Sequence, residues 1–138
     1  MKTIKQLSIF LENKAGRLVE ILDALKAENI EIQAAAVADT NDFGILRLIT
    51  SNQAKAQELL AAKGILVSMN EIMAIGVESD TASFTSAVDK LTKGGVNISY
   101  LYTFQKDGKL VLIIRTDNLE QAEKVCEQSG LELIQGWE

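Results

Sequence analysis

Leu7, Ile9 and Leu11 alternate with Gln6, Ser8 and Phe10, the period-two pattern of a strand that lays one face on a core. The break Asn13-Lys14-Ala15-Gly16 follows, and apolar residues then return at a different spacing. Leu18, Ile21, Leu22 and Leu25 fall at i, i+3, i+4 and i+7, which predicts a helix over Arg17 to Glu28 that stops at Asn29. Two further strands are expected, Ile30 to Asp39 and Phe43 to Thr50, joined by Thr40-Asn41-Asp42, whose side chains suit a reversal of direction. Asn52 can cap a second helix through its side-chain oxygen. The stripe Ala56, Leu59 and Leu60 gives that helix a narrow buried face, and Gly64 terminates it. Ile65 to Met69 reads as the fourth strand.

The same order restarts at Glu71 or Ile72. With an offset of 66 residues, Leu18, Ile21, Leu22 and Leu25 return as Phe84, Ala87, Val88 and Leu91, and the run from Ile45 to Ile49 returns as Val111 to Arg115. Thr50, Asn52, Ala56 and Gly64 have identical partners in Thr116, Asn118, Ala122 and Gly130. The expected fold class is therefore α+β, with two split βαβ units over residues 1–70 and 71–138. The junction near Ser68 to Ile72 holds no proline and no flexible tract.

Two strands carry runs of uncharged residues at a predicted sheet edge: Ala34 to Ala38, and its counterpart Tyr100-Leu101-Tyr102. No proline or lysine blunts them, and an open apolar edge invites pairing. A homodimer is expected.

The composition, 47% hydrophobic and 24% charged, is that of a globular chain. A formal charge of −5 with scattered lysines and arginines argues against a nucleic-acid partner. The longest aliphatic run, Leu110 to Ile114, is far short of the roughly 20 residues that span a bilayer. No membrane association and a cytoplasmic location are expected.

With no histidine and one cysteine, Cys126, the chain lacks imidazole bases, Ser-His or Cys-His pairs and a thiolate metal site. No phosphate-cradling glycine motif is present. Neither a catalytic set, a cofactor nor a metal is expected. Cys126 matches Leu60 in the repeat and reads as a buried thiol, while Glu20, Asp23 and Glu28 read as solvated helix surface. Arg47 interrupts the apolar strand Ile45 to Ile49 and has no charged counterpart at Ile113. A sheet face open to water, or a contact with a partner's or ligand's carboxylate, would each explain it.

One place offers binding chemistry. The turn before the first helix exposes backbone amides at a helix N-terminus, which attracts an anion such as a carboxylate, and Gly16 lets a ligand approach that backbone. Gly16 is equally explained by the tight turn alone.

The order strand, Asn13-Lys14-Ala15-Gly16-Arg17-Leu18, helix, then Asn29-Ile30-Glu31-Ile32, with Gly94-Gly95-Val96-Asn97-Ile98 in the second half, resembles the ACT domain. Two copies resemble a tandem ACT protein over essentially the whole chain. The resemblance implies ferredoxin-like βαββαβ units, antiparallel sheets with helices on one face, and an amino acid bound as a regulatory signal where two ACT units meet. It also implies that Asn13, Ala15, Gly16, Arg17 and Leu18 form one ligand loop, and that Asn97, Ile98 and Ser99 match the second-strand segment facing the ligand. The family's Asp-x-Pro-Gly stands here as Asn13-Lys14-Ala15-Gly16, and the second-half counterpart, Ser79-Asp80-Thr81-Ala82, lacks the glycine. No catalytic domain is expected beside the two units, so the resemblance implies a separate metabolic enzyme as partner. A docking protein without ligand is the competing expectation.

Overall fold

A computed structural model describes residues 2–12, 14–39 and 43–135. The chain divides into two compact units, Lys5–Asn70 and Met1–Ile4 with Glu71–Glu138. The first contains β1 (Ile4–Glu12) from Lys5 onward, α1 (Arg17–Ala27), β2 (Ile32–Asp39), β3 (Phe43–Thr50) and α2 (Gln53–Ala62). β4 (Val67–Glu78) follows without a break, and α3 (Thr81–Lys93), β5 (Ile98–Lys106), β6 (Lys109–Thr116), α4 (Leu119–Ser129) and the short β7 (Glu132–Leu133) complete the second unit. Both units are α+β and ferredoxin-like.

Within the first unit β3 is central, antiparallel to β1 with Ile9 opposite Leu46 and to β2 with Val37 opposite Leu46. The Phe10 N–H donates to the Leu66 carbonyl at 2.9 Å, and the Ser8 hydroxyl donates to the Asn70 side-chain oxygen at 3.1 Å, which seats the start of β4 beside β1. Leu7, Ile9, Leu46 and Leu48 project from the sheet into one cluster with Ile21 and Leu25 of α1 and Ala56 and Leu60 of α2. Both helices therefore cover one face. The period-two and period-3.6 patterns converge on that core because each element has a single apolar side to bury.

The second unit repeats the scheme. β6 lies between β4, with Ile75 opposite Leu112, and β5, with Leu101 opposite Ile114, while β7 pairs on the other side of β4. Met73, Ile75, Leu112 and Ile114 meet Ala87 and Leu91 of α3 and Ala122 and Cys126 of α4. Burial pushes the Cys126 thiol up to about 11, and the Glu123 and Glu127 carboxylates add to the shift. Its Sγ lies 3.7 Å from Met73 Sδ.

The fourth strand expected at Ile65 to Met69 and the strand expected to restart at Glu71 or Ile72 are one strand. The junction near Ser68 to Ile72 lies inside the twelve-residue β4, whose residues 67–70 belong to one unit and 71–78 to the other. Strand pairing uses backbone groups and tolerates the polar Ser68, Asn70 and Glu71 on exposed or hydrogen-bonded positions. The Thr40-Asn41-Asp42 turn lies outside the described residues. β2 pairs with β3 at the edge of the first unit and β5 with β6 at the edge of the second. Each contains a register irregularity at an equivalent place, Gln33 and Ser99, where one residue of extra length re-aims a side chain.

Candidate functional site

Of the loop expected to bind, Asn13 lies outside the described residues. Ala15 and Gly16 are exposed, and Arg17 and Leu18 are half-buried. Gly16 is the N-cap of α1 with φ 89°, in the left-handed region, and no side-chain hydrogen bond caps the helix there. A side chain at Gly16 would meet nothing within 4 Å, so the conformation, not lack of space, is what requires glycine. Leu18 packs its side chain on the first-unit core.

Charge is balanced around this turn. The Arg17 guanidinium lies 3.1 Å from Glu20 and 3.6 Å from Glu12, and Lys14 lies 3.3 Å from the same Glu12 oxygen. Exposed pairs of this kind contribute about 0–1 kcal/mol each, so they orient Arg17 without closing the loop to a competing anion. Glu20 also sits in the first helical turn, where the dipole favours a negative charge.

The other three helices start differently. Asn52 accepts from the Lys55 N–H, Asp80 from the Ser83 N–H and Asn118 from the Gln121 N–H. In the second-unit counterpart of the candidate loop, the Ser83 hydroxyl donates to Asp80, and the Ser79 hydroxyl accepts from Gln105 Nε2. Ser79 and Ser83 are thereby engaged within the protein.

Asn97 and Ser99 are exposed at the start of β5, and Ile98 is half-buried against the second-unit core. Loop and strand segment belong to different units. Two features escaped the sequence reading. Gln33, the repeat partner of Ser99, has a buried side-chain oxygen without a hydrogen-bond partner among the described residues. The 66-residue offset was the signal that could have found it. The second is a groove of about 880 Å³ in the first unit, running beside α1 from Arg17 to Ala27 and bounded by the turn at Lys63 to Leu66. Phe10, stacked on Phe43 at 4.8 Å between ring centroids, forms part of its wall.

Among the described residues no cluster of three or more His, Cys, Asp or Glu side chains could hold a metal, and no helix is long and apolar enough to cross a membrane.

The family model described as an ACT domain pair matches residues 2–137. A crystal structure of a protein from Bacteroides thetaiotaomicron is 34% identical, with a TM-score of 0.90 over 96% of this chain and 92% of that one. The ligand-free regulatory subunit of aspartate kinase from Thermus thermophilus is 14% identical, with a TM-score of 0.65 over 93% of each chain. The corresponding subunit from Thermus flavus is 15% identical, with a TM-score of 0.62 over 91% of this chain and 92% of that one. The Thermus likenesses show a shared fold. No curated protein matches the sequence.

Proposed function

The chain belongs to the family of ACT domain pairs, and from that premise we propose that it is a non-catalytic regulatory protein that binds an amino acid and signals to a separate metabolic enzyme. The observation that carries this reading is the first turn of α1. Its cap is a left-handed glycine and no side chain fills the position. In this reading the α-carboxylate of the ligand accepts from amides around Gly16, supplying the anion that a helix N-terminus favours. Ala15 and Arg17 border it. Asn97, Ile98 and Ser99 enter the reading through the family resemblance, as the segment that completes polar recognition. The neighbours described as regulatory subunits of aspartate kinase support a regulatory role for the fold, with no particular enzyme implied.

The protein is further proposed to work as a cytoplasmic homodimer. Support comes from the edge strand β2, where Ile32 and Val37 are exposed large apolar residues. An unblunted edge of this kind pairs readily with a second chain. The same feature favours the second reading, in which the units only dimerise and dock.

A thermal-shift screen against the twenty amino acids, followed by calorimetry, separates the two. A ligand at 100 times its dissociation constant adds about 2.7 kcal/mol of stability. Gly16→Val, which costs about 1–2 kcal/mol by forcing a side chain into the left-handed region, is expected to keep the fold and lose the response. A flat screen on folded dimer supports docking alone.

A further inference from the structure

Two strands pass from one unit into the other, β1 between Ile4 and Lys5 and β4 between Asn70 and Glu71. The two crossings are equivalent in the repeat, since Lys5 and Glu71 are 66 residues apart. The ladders inside the units stop short of both. β1 pairs with β3 as far as Leu7 opposite Leu48, and β4 with β6 as far as Met73 opposite Ile114. Continued in the same register, Lys5 would face Thr50 and Glu71 would face Thr116.

At each crossing a side chain takes the carbonyl that the ladder leaves over. In the first unit the Gln53 amide does so. Its Oε1 accepts from the Thr50 N–H at 2.9 Å and from the Thr50 hydroxyl at 2.7 Å, while its Nε2 donates to the Lys5 carbonyl at 2.9 Å and the Leu48 carbonyl at 3.2 Å. A side-chain amide, with the donor and acceptor of a peptide group, thus stands in for backbone pairing between Lys5 and Thr50. In the second unit Arg115 Nη1 donates to the Glu71 carbonyl at 2.9 Å. The counterpart of Gln53 is Leu119, and that of Arg115 is Ile49. Two chemically unlike side chains from different places in the repeat therefore meet one need, a carbonyl stranded where its strand departs from the ladder.

We propose that Gln53 and Arg115 are fasteners that couple the stability of the two units. Each holds a strand at the residue where that strand leaves the unit of the fastener. Gln53 holds β1 next to residues 1–4, which belong to the second unit, and Arg115 holds β4 next to residues 67–70, which belong to the first. A strand free to peel at such a residue lets one unit open locally without the other. A strand held there makes them open together. The guanidinium bond is the stronger of the two, because its donor is charged. This coupling uses neither the loop at Gly16 nor a ligand.

The test is urea denaturation of the full chain followed by amide NMR, with Leu46 and Leu48 reporting on the first unit and Leu112 and Ile114 on the second. The native protein is expected to show one midpoint for both sets. Ala56→Gly, at a buried helix position that serves neither crossing, should lower the two midpoints together. Gln53→Leu combined with Arg115→Ile, which gives each place the residue that the other unit carries there, should separate them. Without urea, Arg115→Ile alone should speed exchange of the Phe10 amide, bonded to the Leu66 carbonyl in the other unit, by about fivefold. Arg115→Lys keeps a cationic donor and should restore the protection. Midpoints that stay together in the double variant, or that already differ in the native protein, overturn the proposal. An unchanged Phe10 rate in Arg115→Ile overturns it too, and decides the matter if the double variant does not fold.

Discussion

Lys14 and Asp80 occupy the same place in the repeat, and the helices that follow them begin differently. Asp80 adopts an extended backbone, and its carboxylate accepts from the Ser83 N–H at 2.7 Å, which starts α3 at Thr81. In the first unit the cap falls two positions later on the repeat, at Gly16, and α1 starts only at Arg17. One unit supplies its own anion to the helix dipole, while the other leaves that place to a turn held by a left-handed glycine. Duplicated elements can therefore keep one fold and part company in what they leave unsatisfied.

The contrast extends to the far end of the same helices, where the largest effect is expected. A Cβ on Gly94 would stand 2.5 and 2.7 Å from the two γ-carbons of Val125, so Gly94→Ala overpacks α3 against α4 and should cost about 1–3 kcal/mol in urea denaturation. Its counterpart, Glu28, is exposed and pairs with Lys55 at 3.2 Å, so Glu28→Ala should change stability by no more than about 1 kcal/mol. Equal losses would erase the asymmetry between the helix ends.

Next in size, Asp80→Ala removes the cap and should cost about 1 kcal/mol. Helix fraying at Thr81 to Ser83, read by amide exchange, is the expected signature. Unchanged protection there would mean that the carboxylate does not set the start of α3.

A further effect, confined to alkaline pH, concerns Cys126, where the first unit has the non-titrating Leu60. Its thiol is raised from 9.0 to about 11 in the folded protein, so the unfolded chain loses this proton first as pH rises. The contribution is fully present below about pH 9 and is lost progressively towards pH 11. Cys126→Ala should flatten that part of the stability curve, and an identical curve for the variant would contradict the buried neutral thiol.

Much of the fold was legible because its signals are local. Asn52 and Asn118 cap where their side chains predict, and Gly64 and Gly130, with φ 77° and 72°, adopt the left-handed conformation just past their helices. Less legible was whatever depends on distant groups. The continuity of β4 through Asn70 and Glu71 is decided by strand partners on either side of those residues. The early start of α3 is decided by the rotamer of Asp80. At the candidate site, Gly16 before a helix stood out in the sequence, but the state of the helix start did not. The groove was invisible because Phe10, Asp23 and Lys63 come from three separate elements. Gln33 needed the repeat to be read across to Ser99.

The unbroken β4 also bears on how this protein can be taken apart. Its first four residues complete one unit and its last eight open the next, and residues 1–4 at the head of the chain are counted with the second unit. A gene cut between codons 70 and 71 therefore severs a strand and strips the downstream fragment of Ile4, a buried residue of its own unit. Recombination that swaps one half for a foreign ACT unit meets the same obstacle.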